Sequence, residues 1–105
     1  MANSFSLKFT RKSEEDLDEI YAYIGIQLSA LTAALDIMDK IQNSITRLKD
    51  FPYCGSQVLD EPLRRKGYRK LIIENYIVFY LVDEEEKQVV IMRVIYGATD
   101  YQNVL

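Results

Sequence analysis

Arg64-Arg65-Lys66-Gly67-Tyr68-Arg69-Lys70-Leu71-Ile72-Ile73-Glu74-Asn75-Tyr76-Ile77-Val78-Phe79-Tyr80-Leu81-Val82, then an acidic break from Asp83 to Gln88, then Val89-Val90-Ile91-Met92-Arg93-Val94-Ile95-Tyr96, is the stretch that decides the fold. β-Branched and aromatic residues crowd into runs of strand length. Glu74-Asn75 suits a tight turn, since Asn tolerates left-handed backbone angles. Asp83 to Gln88, with four consecutive acids, supplies a second, longer turn. The expected unit is an antiparallel meander of three strands.

These turns set a register. Arg69 falls opposite Tyr80 and Leu71 opposite Val78; on the other side of the strand Tyr80 faces Ile91 and Val78 faces Arg93. Side chains alternate between faces with period two. One face then carries Lys70, Ile72, Ile77, Phe79, Leu81, Val90, Met92 and Val94, and reads as the core face. The other carries Arg69, Leu71, Tyr76, Val78, Tyr80, Ile91, Arg93 and Ile95, and reads as a working face.

Upstream, Phe5 to Phe9 alternates apolar and polar residues and reads as a short strand. Ser13 fits an N-cap, with Asp16 completing a variant capping box. Leu17, Ile20, Tyr21, Ile24 and Leu28 share one helical face, weakened locally by Gly25. Ser29 fits the cap of a second helix, whose stripe is Leu31, Ala34, Leu35, Met38, Ile41, Ile45 and Leu48. Phe51-Pro52 ends it. The two helices form an antiparallel hairpin that covers the sheet face bearing Phe79 and Met92. Tyr53 to Leu63 reads as a loop, residues 97–100 as a turn, and Tyr101 to Leu105 as a tail docked through Val104 and Leu105. The expected fold is α+β: an N-terminal strand, a helical hairpin and a three-stranded meander in one sheet, with helices on one face.

Composition narrows the function. The 105 residues amount to a single domain, 1–105, and 49% of them are hydrophobic. One cysteine and no histidine rule out an internal disulfide, His-ligated metal and His-based catalytic dyads. Cys54 has no base near it in sequence and reads as inert. No cofactor is implied. No run approaches the length of a membrane span and no signal-peptide pattern is present, so a cytoplasmic protein is expected. Net charge is −3, which disfavours bulk attraction to nucleic acid. Yet five of the seven residues from Arg64 to Lys70 are basic.

Dispersed marks carry a resemblance that spans Phe5 to Leu105. They are Ala33-Ala34, Leu48-x-x-x-Pro52-x-x-Gly55, Gly67-Tyr68-Arg69, Asn75-Tyr76-x-x-x-Tyr80 and Arg93-Val94-Ile95-Tyr96-Gly97. In this order they resemble the RelE/ParE superfamily of toxins from bacterial type II toxin–antitoxin (plasmid-stabilisation) modules. The resemblance implies a growth-inhibiting toxin neutralised by a cognate antitoxin. One branch of the superfamily cuts mRNA on the ribosome without a metal; the other poisons DNA gyrase and is not a nuclease.

Metal-free RNA cleavage needs an activated 2′-hydroxyl, a protonated leaving oxygen and stabilised phosphate charge. On the nuclease reading the resemblance assigns catalysis to Arg69, Arg93 and Tyr96. Target or nucleic-acid contacts then fall to Arg64, Arg65, Lys66, Lys70 and Tyr101. An arginine between Met92 and Val94 needs a partner or a function in any case. Tyr76 and Tyr80 read as packing residues. The turn at 97–100 lacks the basic residue many relatives carry, and the chain is acidic overall. Both features favour gyrase as target, with an mRNA endoribonuclease or an inactive toxin-derived interaction module as alternatives. Val78, Ile91 and Ile95, left uncovered on the working face, are the expected antitoxin contact.

Overall fold

The computed structural model describes residues 4–97 and 105. Its elements are β1 (Ser6–Phe9), α1 (Arg11–Ala22), a π-helical turn (Tyr23–Gln27), α2 (Leu31–Arg47), β2 (Ser56–Gln57), α3 (Glu61–Arg65), β3 (Arg69–Ile73), β4 (Tyr76–Asp83) and β5 (Gln88–Tyr96). They form one five-stranded sheet in the order β1-β5-β4-β3-β2. The meander is antiparallel, and β1 joins it parallel to β5. No helix among the described residues is long and apolar enough to cross a membrane.

The β3–β4 register is the expected one, with Arg69 opposite Tyr80 and Leu71 opposite Val78. Its turn differs in detail: Glu74, not Asn75, takes the left-handed conformation (φ 56°). Its side chain meets Lys40 of α2, whose Nζ lies 3.2 Å from Glu74 Oε2 in an exposed pair that contributes little. Tyr80 faces Ile91 as expected, but Val78 faces Val94 rather than Arg93. A β-bulge lies between the Phe79 and Tyr80 pairs, making Met92 one residue more than the partner strand matches. Beyond the bulge the alternation inverts, so Val94 and Ile95 exchange faces relative to the uninterrupted register.

The helices pack on the face opposite to the one expected. Ile20, Ile41, Ile45 and Leu48 bury against Val78, Tyr80, Val89, Ile91 and Val94. The face bearing Phe79 has its own cover: Val58, Leu63 and Tyr68 bury with Phe79 and Ile95, and Ile77, Leu81, Met92 and Leu105 pack around them. Val58 and Leu63 of that cover come from the segment read as a loop. Asp60 caps α3 by accepting the Leu63 N–H at 3.3 Å, with Pro62 in its first turn. Both faces are therefore apolar, and alternation alone does not say which one the long helices take. Val78, Ile91 and Ile95 are buried, not open to a partner.

Both helix starts also differ from expectation. Thr10, not Ser13, caps α1, accepting the Ser13 N–H at 3.1 Å. Ser13 is buried and returns its hydroxyl to the Thr10 carbonyl at 2.8 Å. Ser29 sits at φ 51° in the joint, and Ala30 stands at the α2 cap position. The π-helical turn contains Gly25, where an added Cβ would touch Ala34 Cβ at 3.5 Å. The helices cross closely at this point. Around this joint Leu28, Leu31 and Leu35 are 52–54% exposed, so the buried stripe of α2 is Ala34, Ile41 and Ile45. Leu35→Ala is accordingly expected to cost less than about 0.5 kcal/mol, as for a surface substitution, in a urea melt. A loss above about 2 kcal/mol would place Leu35 in the core.

Candidate functional site

Arg69 opens β3 after Gly67, whose φ of 92° redirects the chain leaving α3. Its guanidinium turns to the loop beyond α2. Nη2 donates to the carbonyls of Gly55 at 2.6 Å and Tyr53 at 3.1 Å, and the Tyr53 ring centroid lies 5.2 Å from Cζ. Arg69 Nε is buried with no hydrogen-bond partner among the described residues. The Gly55 N–H donates to the buried Tyr80 hydroxyl at 3.0 Å. Burial pushes the Tyr80 phenol up, opposed by the Gly55 N–H and the neighbouring Arg69 guanidinium. A Cβ on Gly55 would stand 2.5 Å from both the Lys70 carbonyl oxygen and the Tyr80 hydroxyl, so only glycine fits. Thus the Gly55, Arg69 and Tyr80 marks are parts of one loop clamp.

Arg93 sits two strands away and its guanidinium goes to α1. Nε donates to Asp16 Oδ2 at 2.7 Å and Nη2 to Oδ1 at 3.0 Å. Asp16 Oδ2 also accepts the Val94 N–H at 2.9 Å. β1 ends opposite Ile91, so α1 takes over the edge of β5 from there. The Thr10 hydroxyl binds the Met92 carbonyl at 2.9 Å and Asp16 binds Val94. The Asp16 hydrogen bond, partly offset by burial, raises the Arg93 pKa above its ordinary value. Asp16, expected to cap α1, is the buried counter-ion of Arg93. The bulge gives the two arginines different register partners, Tyr80 for Arg69 and its opposite-face neighbour Phe79 for Arg93. They do not share a working face.

Tyr96 is exposed and packs edge-on against Tyr76, with ring centroids 5.9 Å apart and planes at 69°. Burial first, then Tyr96 and Tyr23, raises the Tyr76 phenol. Tyr76 and Tyr96 line an open cleft of about 590 Å³ with Asp16, Glu19, Tyr23 and Arg93. On the other side of the molecule, a smaller cavity of about 210 Å³ brings Arg64 and Arg69 together with Tyr53 and Gln57. Arg64, Arg65 and Lys66 are exposed at the end of α3. Glu61 lies 3.9 Å from Arg64 and 3.5 Å from Arg65, exposed pairs that contribute little. Lys70 is half-buried opposite Ser56. Cys54 is exposed. Tyr101, Val104 and residues 98–100 of the expected turn lie outside the described residues.

The structure therefore joins Arg69 to Arg64 and Arg93 to Tyr96, but not the two groups to each other. Sequence reading singled out Arg93 as needing a partner and missed Asp16, 77 positions away. The usable signal was a carboxylate on a helical face with Ile20, one turn away, among core residues.

A strand, a helical hairpin and an antiparallel meander in one sheet, with arginines fixed at two of its strands, define the class of small RelE/ParE-fold toxins. Residues 7–101 match the family profile described as the ParE toxin of the type II toxin–antitoxin system parDE, and the chain belongs to this family. Among solved structures it is similar to a chain of the chromosomal ParDE system from P. aeruginosa. The two are 27% identical with a TM-score of 0.72, over 90% of this chain and 97% of the other. The RelBE2 toxin–antitoxin complex from Mycobacterium tuberculosis shares the fold at 22% identity and a TM-score of 0.61, over 94% and 98% of the two chains. A mutant of the E. coli toxin RelE in the free state shares it at 12% identity and a TM-score of 0.66, over 96% and 92%. No curated protein matches the sequence.

Proposed function

We propose that this single-domain chain acts in the cytoplasm as the growth-arresting toxin of a two-component module, and that its target is DNA gyrase. The observation that carries the choice of target is the engagement of both arginines. Arg93 is held by a buried carboxylate and Arg69 by two backbone carbonyls. Charge stabilisation of a cleaved phosphate needs donors converging on one point. These donors point into the protein from strands separated by β4. Membership of the ParE family supports the same target.

A cognate antitoxin restrains the toxin, as the ParDE and RelBE2 systems pair their own components. Its contact on this reading is the apolar ridge of Ile26, Leu28, Leu31 and Leu35, a patch of the kind that marks partner sites. The test is induced expression with and without the neighbouring gene. Growth arrest with intact mRNA, relieved by the neighbour, supports the proposal. Rapid cleavage of mRNA within translated codons would replace gyrase with the ribosome.

A further inference from the structure

The cleft between α1 and the end of β5 is unusual in chemistry for a surface hollow. Tyr23 and Tyr96 stand half-exposed at its mouth, Tyr76 stands behind them, and Ile20, Val94 and Ile95 form apolar walls. The Asp16–Arg93 pair is part of the lining, and its two charges offset each other at 2.7 Å. Glu19 adds a further carboxylate, close enough to act on Arg93. Glu15 also acts on Arg93, but it is shared with Arg11 and Lys12 on the solvent side of α1, each 3.8 Å away. Among the described residues the balance inside the cleft is thus negative, and its electron-rich surfaces are three phenol rings.

We propose that this cleft receives an arginine side chain presented by a protein partner. A guanidinium is planar and weakly hydrated. It gains from lying on a tyrosine face while forking onto a carboxylate, a combination a lysine ammonium satisfies less well. Here the half-exposed rings are those of Tyr23 and Tyr96 and the carboxylate is that of Glu19. Tyrosines also stack nucleic-acid bases. A strand entering this cleft, however, would bring its phosphates against the acidic side of α1, where Glu14, Glu15, Asp18 and Glu19 are exposed. The occupant is therefore a basic peptide side chain and not a nucleotide. The inference stands apart from the choice of gyrase as target.

The test titrates the full isotope-labelled chain with blocked Gly-Gly-Arg-Gly-Gly, followed by amide NMR. The comparators are the citrulline and lysine versions of the peptide and an oligothymidylate. The expected result is weak, saturable binding of the arginine peptide, with shifts concentrated at Tyr23, Val94, Ile95 and Tyr96. Citrulline, isosteric and uncharged, should bind at least about fivefold more weakly, and lysine should fall between them. Tyr96→Ala and Glu19→Gln should each weaken binding about three- to fivefold, whereas Tyr96→Phe should retain it. These positions are exposed, so amide dispersion of the variants should match the parent. No saturable shift, equal binding of citrulline, or preference for the oligothymidylate would overturn the proposal.

Discussion

Asp16→Ala is expected to lower folding stability by about 3–5 kcal/mol, the cost of leaving one member of a buried ion pair behind. The side chains of Arg93 and Asp16 are only 16% and 8% exposed, so water screens the stranded guanidinium poorly. The same substitution removes the acceptor of the Val94 N–H at the edge of β5. Two of the attachments joining the far half of β5 to α1 fail together. A urea melt measures the loss. Asp16→Leu combined with Arg93→Met should recover part of it, because a packed apolar pair carries no desolvated charge. A loss under about 1 kcal/mol for Asp16→Ala would show that the pair is dispensable and would return Arg93 to the list of arginines available for chemistry.

Phe79→Ala should also cost about 3–5 kcal/mol, as a large core truncation. Phe79 is completely buried on the face that the two long helices do not touch. Its neighbours are Val58 and Leu63 from around β2 and α3, Tyr68 before β3, and Ile95 on β5. Were that face open to solvent, the cost would resemble a surface change, under about 0.5 kcal/mol. The melt of this variant therefore decides whether the segment from 53 to 68 is a loop or a second core layer.

Much of the fold was legible in the sequence because its signals are local. The meander follows from β-branched runs and two turns, and the hairpin from apolar spacing bounded by Pro52. The rest of the fold is set by features that act over longer range or between equal alternatives. Two apolar sheet faces offer no periodicity that tells helix side from loop side. A single bulge residue, Met92, inverts the register beyond it without any glycine or proline to announce it. Gly25 signalled a weak point in α1 but neither the π-helical turn there nor the exposure of Leu31 and Leu35 on α2. The site was legible as a set of suspicious residues and not as an arrangement. Arg69 and Arg93 stand out in the sequence, but their engagement with Gly55 and Asp16 depends on partners far along the chain. The family marks around Gly55 prove to be a packing device, since Gly55, Arg69 and Tyr80 fix one loop through backbone groups.

The most direct test of the gyrase reading uses purified components: the toxin with DNA gyrase, ATP and relaxed plasmid, beside the same toxin with programmed ribosomes. The account predicts loss of supercoiling with accumulation of gyrase-linked DNA breaks, and full-length mRNA on the ribosomes. Undisturbed supercoiling together with mRNA cut at the ribosome would contradict it.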